Sequence, residues 1–248
     1  MDISDSWFEE WFNSPYYHLL YDNRDEDEAK IFIKNLITKL NPLPTAKFLD
    51  LACGSGRHTR EIAAMGYSAT GIDLSPNSIE YATKMGCEKQ HFLVGDMRET
   101  HFENEFDFVL NLFTSFGYFK SRDEQKQTLL AIKNQLKRNG ILVLDYLNIC
   151  KVLDEISESG EQQISKGKIL FKTHKIIDKP FIIKKITIEE NDIKRTFFER
   201  VFMLTKDDLS NILKETGFGI KTIYGDYGLT NFDKKNSDRL IIVAQKTT

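Results

Sequence analysis

Over the first 40 positions apolar residues recur at helical spacing, and the rhythm then changes to short apolar runs, each followed by a helical stretch. Trp7, Phe8, Trp11 and Phe12 share one helical face, Pro15 interrupts, and a second helix is predicted from near Asp25, with Glu28 three residues on as a capping-box partner. Ala29, Phe32, Ile33, Leu36, Ile37 and Leu40 form its apolar stripe, and Asn41, Pro42 and Pro44 end it. The runs 47–51, 68–73, 91–94, 106–110 and 141–146 then read as five strands. Helices are expected from about 77 and over 123–136, the latter leading through Asn139-Gly140 into the fifth strand. Strands alternating with helices imply parallel pairing and right-handed crossovers.

The alternation breaks after the fifth strand. The β-rich runs 168–177, 181–188 and 194–203 follow one another without helices and read as an antiparallel insert. A helix over 206–216, a turn at Gly217 and strands over 220–224 and 239–245 close the chain, the last two pairing as a hairpin at one sheet edge. The expectation is a doubly wound, mostly parallel, seven-stranded α/β sheet with an antiparallel β insert after the fifth strand. It divides the chain into a helical segment over 1–45, an α/β domain over 46–150 and 205–248, and a β-rich insert over 151–204.

Composition narrows the setting. A chain of 248 residues, 41% hydrophobic, is long enough for one such core and a modest subdomain. A net charge of -3 and a pI near 6.0 give no electrostatic footprint for a phosphate backbone, which disfavours nucleic acid as a partner. Cys53, Cys87 and Cys150 are odd in number and lack close metal-ligand spacing, which suggests neither a disulfide framework nor a metal site and fits a reducing cytosol. Asp2, Asp5, Glu9 and Glu10 are the wrong charge for a leader peptide, and no run approaches the roughly 20 apolar residues that cross a bilayer. A soluble, cytoplasmic protein is expected, with its oligomeric state left open.

The candidate chemistry lies at strand ends. In an open parallel sheet a ligand binds beyond the carboxyl ends of the strands, where strand order reverses. Asp50 ends the first strand, ahead of the turn Gly54-Ser55-Gly56, whose glycines allow close backbone approach. Asp73 ends the second strand, where a carboxylate can accept both hydroxyls of a ribose. After the third strand, Gly95-Asp96-Met97 offers an acceptor for an adenine amino group beside an apolar side chain.

In these three places the chain resembles the class I S-adenosylmethionine-dependent methyltransferases. Leu49 to Gly56 looks like that family's first motif, Gly71-Ile72-Asp73-Leu74-Ser75 like its ribose-binding acidic motif, and Gly95-Asp96-Met97 like its adenine-binding motif. The resemblance implies S-adenosylmethionine as cofactor. Asp50, Ala52, Gly54 and Gly56 would line its methionine portion, Asp73 and Leu74 its ribose and adenine, and Asp96 and Met97 the adenine edge. Asn111, past the fourth strand, would border the methyl group. Ala52 departs from the family, which often has glycine there. Residues 14–22 resemble the family's variable lid helix, from which Tyr16, Tyr17 or Tyr21 would reach the cofactor.

Other readings compete. A nicotinamide oxidoreductase would also use Asp73, but it prefers a third glycine at position 59, where this chain has Thr59. A methyltransferase acting on RNA or protein, or a non-catalytic cofactor-binding module, would share the same carboxylates. The segment Asn111-Leu112-Phe113-Thr114-Ser115-Phe116 lacks both an Asn-Pro-Pro-Tyr type motif and a Pro-Cys nucleophile, which favours a small-molecule methyl acceptor. Arg57 and His58 are either ligand contacts or exposed first-turn residues. Asp145, Tyr146 and Asn148 sit where substrate contact is expected, and the insert is expected to form a lid or wall over the acceptor.

Overall fold

Strands flanked by layers on both faces read as nearly continuous apolar runs, and the central strands do so here. A computed structural model describes residues 3, 7–21, 26–158 and 161–247, so the cap expected at Asp25 lies outside the described residues. The helical segment gives α1 (Trp7–Phe12), α2 (Pro15–Leu20) and α3 (Glu26–Leu40). Pro15 starts α2 rather than merely ending α1: it occupies the first turn, where a missing N–H costs nothing, and the Ser14 side chain caps the helix by accepting from the Tyr16 amide at 3.2 Å.

The α/β part follows as β1 (Lys47–Leu51), α4 (Arg57–Ala64), β2 (Ser68–Asp73), α5 (Pro76–Lys84), β3 (Gln90–Val94), β4 (Phe106–Asn111), a 3₁₀ turn at Ser115–Tyr118, α6 (Arg122–Gln135) and β5 (Leu136–Leu147). After α7 (Ile149–Glu158) come β6 (Gln162–Lys166), β7 (Ile169–Asp178), β8 (Phe181–Glu190) and β9 (Ile193–Phe202). The chain continues through α8 (Lys206–Glu215), β10 (Phe218–Tyr224) and β11 (Arg239–Lys246).

The seven-stranded sheet has the order β10-β11-β5-β4-β1-β2-β3. β3, β2, β1, β4 and β5 are parallel, and β11 pairs antiparallel with both β5 and β10. The closing strands therefore form the expected edge hairpin. Side chains alternate between two cores. Leu49, Leu51, Leu142 and Leu144 face Leu129 and Ile132 of α6 and Leu209 and Ile212 of α8. Phe48, Ala69, Phe108 and Val143 face Phe32, Ile33 and Leu36 of α3 and Ile62 of α4. Order reverses between β1 and β4, which fixes where a cleft can open.

Three local expectations change. β5 begins at Leu136 rather than at 141, because the Asn139-Gly140 step is accommodated as an irregularity: Phe106 pairs with Leu136, but Phe108 already pairs with Ile141. α7 and β6 were not expected. β6 reads Gln-Gln-Ile-Ser-Lys, too polar to signal a strand alone, and it owes its state to pairing along β7. The insert is a separate antiparallel sheet, β6-β7-β8-β9, whose apolar face packs Phe171, Ile183, Ile186 and Ile188 against Trp7, Trp11 and Leu20. No helix among the described residues is long and apolar enough to cross a membrane.

Candidate active site

The turn after β1 is held in a conformation that L-residues disfavour. Ala52, Gly54 and Gly56 all lie in the left-handed region, with φ of 60°, 55° and 77°. The two glycines serve different ends. A Cβ on Gly54 would enter open space, so conformation and a clear approach are what glycine provides there. On Gly56 a Cβ would lie 2.6 Å from the Phe92 ring and 3.1 Å from Ala82, so this glycine lets α4 pack onto β3 and α5.

The carboxylate of Asp73 fastens this turn to its own. It accepts the Gly54 amide on one oxygen and the Ser75 amide on the other, both at 2.8 Å, and burial raises its pKa against those two bonds. Asp50 is buried at the end of β1 and accepts from Thr59 Oγ1 at 2.8 Å. Burial pushes its pKa up to about 7; the Thr59 bond opposes this and the nearby charge of Asp73 adds to it.

Beyond β3, Asp96 receives Arg98 in a forked pair, with Nε at 3.0 Å and Nη2 at 2.6 Å from Oδ2, and the Arg98 amide at 2.9 Å on Oδ1. Partial burial opposes ionisation, but the bonds and charge of Arg98 prevail and hold the Asp96 pKa below its ordinary value. Arg98 also reaches Glu124 of α6 at 2.8 Å. His101 packs under Gly95 and meets the Asp96 carbonyl at 2.8 Å, which supports the turn from behind.

Asp50, Gly54, Asp73, Asp96, Arg98 and Glu124 line one half of a cavity of about 360 Å³. The other half is aromatic. Phe8, Phe12, Tyr17 and Tyr21 come from α1 and α2 and the residue after them, and Phe113, Tyr118 and Phe119 from the β4–α6 connection. Phe113 and Thr114 again have positive φ, 57° and 70°. Asp145 at the end of β5 pins them: its carboxylate accepts the Phe113 amide at 2.9 Å and its carbonyl the Thr114 amide at 3.0 Å. Arg239 of β11 meets that carboxylate at 2.8 Å and Thr114 Oγ1 at 3.0 Å, and Tyr227 donates to the same carboxylate at 3.2 Å. Arg57 lies 4.1 Å over the Phe113 ring. His58 lines the cavity next to it; burial first, then the charges of Arg57 and Arg60, keep its imidazole well below its usual pKa and hence neutral at pH 7.

Of the residues singled out from sequence, Asp50, Ala52, Gly54, Asp73, Leu74, Asp96, Met97, Tyr17 and Tyr21 lie on the cavity wall. Gly56, Asn111 and Tyr16 do not. Gly56 is a packing glycine. Asn111 is fully buried behind the wall, where its amide donates to the Leu51 carbonyl at 3.1 Å and to Met97 Sδ at 3.4 Å. Tyr16 turns away to the insert, donating to Glu190 at 2.6 Å. Asp145 touches the cavity only through the turn it holds. Arg57, His58 and the aromatic run from Phe113 to Phe119 carry the part that sequence left open or missed, and the signal was the density of rings just past β4. The insert supplies no lining residue among the described ones; it backs α1 and α2, which do. No cluster able to hold a metal occurs among the described residues.

Known proteins share this geometry. Residues 48–140 match the methyltransferase domain family. A glycine/sarcosine N-methyltransferase of Aphanothece halophytica is 27% identical over 228 residues, covering 90% of this chain and 83% of that protein. A solved S-adenosylmethionine-dependent methyltransferase from Clostridium acetobutylicum superposes with a TM-score of 0.78 at 18% identity, covering 94% of this chain and 96% of that one. S-adenosylmethionine-bound CalS10, an amino pentose methyltransferase of Micromonospora echinaspora, does so at 0.69 and 19% identity, covering 94% and 98%. With its strand order and the glycine turn ahead of three strand-end carboxylates, the chain is similar to the class I S-adenosylmethionine-dependent methyltransferases, and its α/β part matches a methyltransferase domain.

Proposed function

We propose that the cavity holds S-adenosylmethionine along its carboxylate half and a small-molecule amine in its aromatic half. The observation that carries this is the convergence of Asp50, Asp73 and Asp96, each at or just past the end of β1, β2 or β3, on one wall of a cavity closed on the other side by aromatic rings. The donor set fits the cofactor. Asp50 is an anion for the methionine ammonium. Each oxygen of Asp73 accepts one amide and keeps a lone pair for a ribose hydroxyl. Asp96 accepts from the adenine amino group while Arg98 fixes its plane, and Leu74 and Met97 cover the ring. Asn111 acts from behind by holding the Met97 sulfur.

When bound, S-adenosylmethionine supplies an electrophilic methyl group that a nitrogen lone pair displaces in line from sulfur. The protein's contribution is alignment and exclusion of water. Phe113, Tyr118 and the α1–α2 rings wall off the transfer path, and their faces favour the positive charge that ends on nitrogen. An amine acceptor is supported by the names of two relatives, which act on glycine or sarcosine and on an amino pentose. Three free cysteines support a reducing, cytoplasmic setting.

Isothermal titration with S-adenosylmethionine, S-adenosylhomocysteine and NAD tests the cofactor. Micromolar binding of the sulfur compounds is expected, weakened about a hundredfold in Asp73→Ala, since charge-assisted bonds to a diol are lost with the turn they brace. Binding of NAD alone would overturn the proposal. Methylated product from glycine, sarcosine or an amino sugar, read by mass spectrometry, tests the acceptor.

A further inference from the structure

The insert reaches the cavity through the elements it backs, and one carboxylate of β9 bonds to side chains of both α1 and the end of α2. Glu199 of β9 accepts from Trp11 Nε1 at 2.7 Å and from the Tyr21 hydroxyl at 2.6 Å on the same oxygen, with its second oxygen 2.8 Å from that hydroxyl. Lys184 of β8 donates to the Tyr21 hydroxyl at 2.8 Å and lies 4.8 Å over its ring. Trp11 is completely buried, with its ring 5.0 Å from Phe197 of β9. One carboxylate thus ties the C-terminal ends of both α1 and α2 from their outer side. On the inner side, Phe8, Phe12, Tyr17 and Tyr21 form the cavity wall.

We propose that Glu199 is a positioning residue through which the insert sets how long the cofactor stays bound. The inference rests on S-adenosylmethionine occupying the cavity. Charged acceptors make the stronger class of hydrogen bond, and this one is shared by two elements whose separation opens the wall. The α1–α2 rings cover one side of the cavity, so loosening the tie is expected to speed both entry and exit. Glu190 offers an internal contrast: it also holds a tyrosine of α2, but Tyr16 is off the wall, and Arg195 donates to the same hydroxyl at 2.9 Å.

Both tryptophans of the chain, Trp7 and Trp11, lie in α1, so intrinsic fluorescence reports on this pair directly. Without ligand, Glu199→Ala is expected to raise acrylamide quenching about twofold over wild type as Trp11 gains access to solvent. In stopped-flow displacement of S-adenosylhomocysteine, Glu199→Ala is expected to release about tenfold faster, with a smaller rise in the association rate, because two charge-assisted bonds are lost. Tyr21→Phe, which keeps the ring in place, covers the case of a poorly folded alanine variant and is expected to release about threefold faster. Glu199→Asp should restore part of the slow release, and Glu190→Ala should stay near wild type. Release rates of Glu199→Ala and Tyr21→Phe that match wild type would overturn the inference. Failure of the wild-type chain to bind S-adenosylhomocysteine would instead overturn the assignment of the cavity.

Discussion

On one side of the cavity Asp50, Asp73 and Asp96 each sit at the end of their own strand or within two residues of it, and each is braced by the turn or helix that follows. In the aromatic half, rings from α1, α2 and the β4–α6 connection pack on one another and are backed by the insert and the β5–β11 pair. The first half is local in sequence: Asp73 reaches back 19 residues to Gly54 and forward two to Ser75. The second is not: Arg239 reaches Thr114 across 125 positions and Glu199 reaches Trp11 across 188. A cavity half written in short motifs and half in long-range contacts can keep one wall while the other changes.

The largest expected effect lies in the local half and concerns pH. Asp50 titrates near 7 in the folded chain, against about 4 when unfolded. Between those values the folded state keeps a proton that the unfolded state has lost. Stability therefore falls as pH rises from about 4 to about 7, by up to about 4 kcal/mol, and is flat above that window. Asp50→Asn, whose amide oxygen can still accept from Thr59, should unfold at higher denaturant than wild type at pH 8 and lose this advantage toward pH 4. The same variant should bind S-adenosylhomocysteine more weakly, since the cationic ammonium loses its anion. Wild-type binding at pH 6 should expel a proton, visible as a dependence of titration heat on buffer ionisation. A pH-independent Asp50→Asn difference would remove the contrast in chemistry between the two halves.

Asp145 breaks the comparison from the other side. Asp145→Ala removes the counter-charge of the largely buried Arg239 and the acceptor of the Phe113 amide together, so a loss of about 3 kcal/mol is expected in urea unfolding. Asp145→Asn should cost less, because it retains an acceptor for the amide.

The same division explains what could be read from sequence. Asp50, Asp73 and Asp96 were legible because strand-end position and a following turn place a carboxylate with little help from the rest of the fold. Gly56 and Asn111 were legible as positions but not as directions: one faces Phe92 and the other Met97, and which way a residue next to a strand end points is decided by packing. Tyr16 and Tyr21 lie five residues apart, so they diverge on a helix of 3.6 residues per turn, and no periodicity said which one would meet the cavity. β6 and the bulged start of β5 were missed for a related reason, since their partners, and not their own residues, make them strands.

The smallest expected effect tests whether the local half is as self-contained as it looks. Ala52 is the one described non-glycine residue of the turn with positive φ, at 60°. A left-handed L-residue costs about 1–2 kcal/mol, and glycine recovers that less about 0.5–1 kcal/mol for the greater freedom of the unfolded chain. Ala52→Gly should therefore stabilise the protein by about 0.5–1 kcal/mol, a rise of about 2 °C in melting temperature for a chain of this size. Because Gly54 and Asp73 fix the turn on the far side, affinity for S-adenosylhomocysteine should stay within about twofold of wild type. Stabilisation with weakened binding would show that the strain at Ala52 presses the turn toward the cofactor, and that this half too depends on more than its own hydrogen bonds.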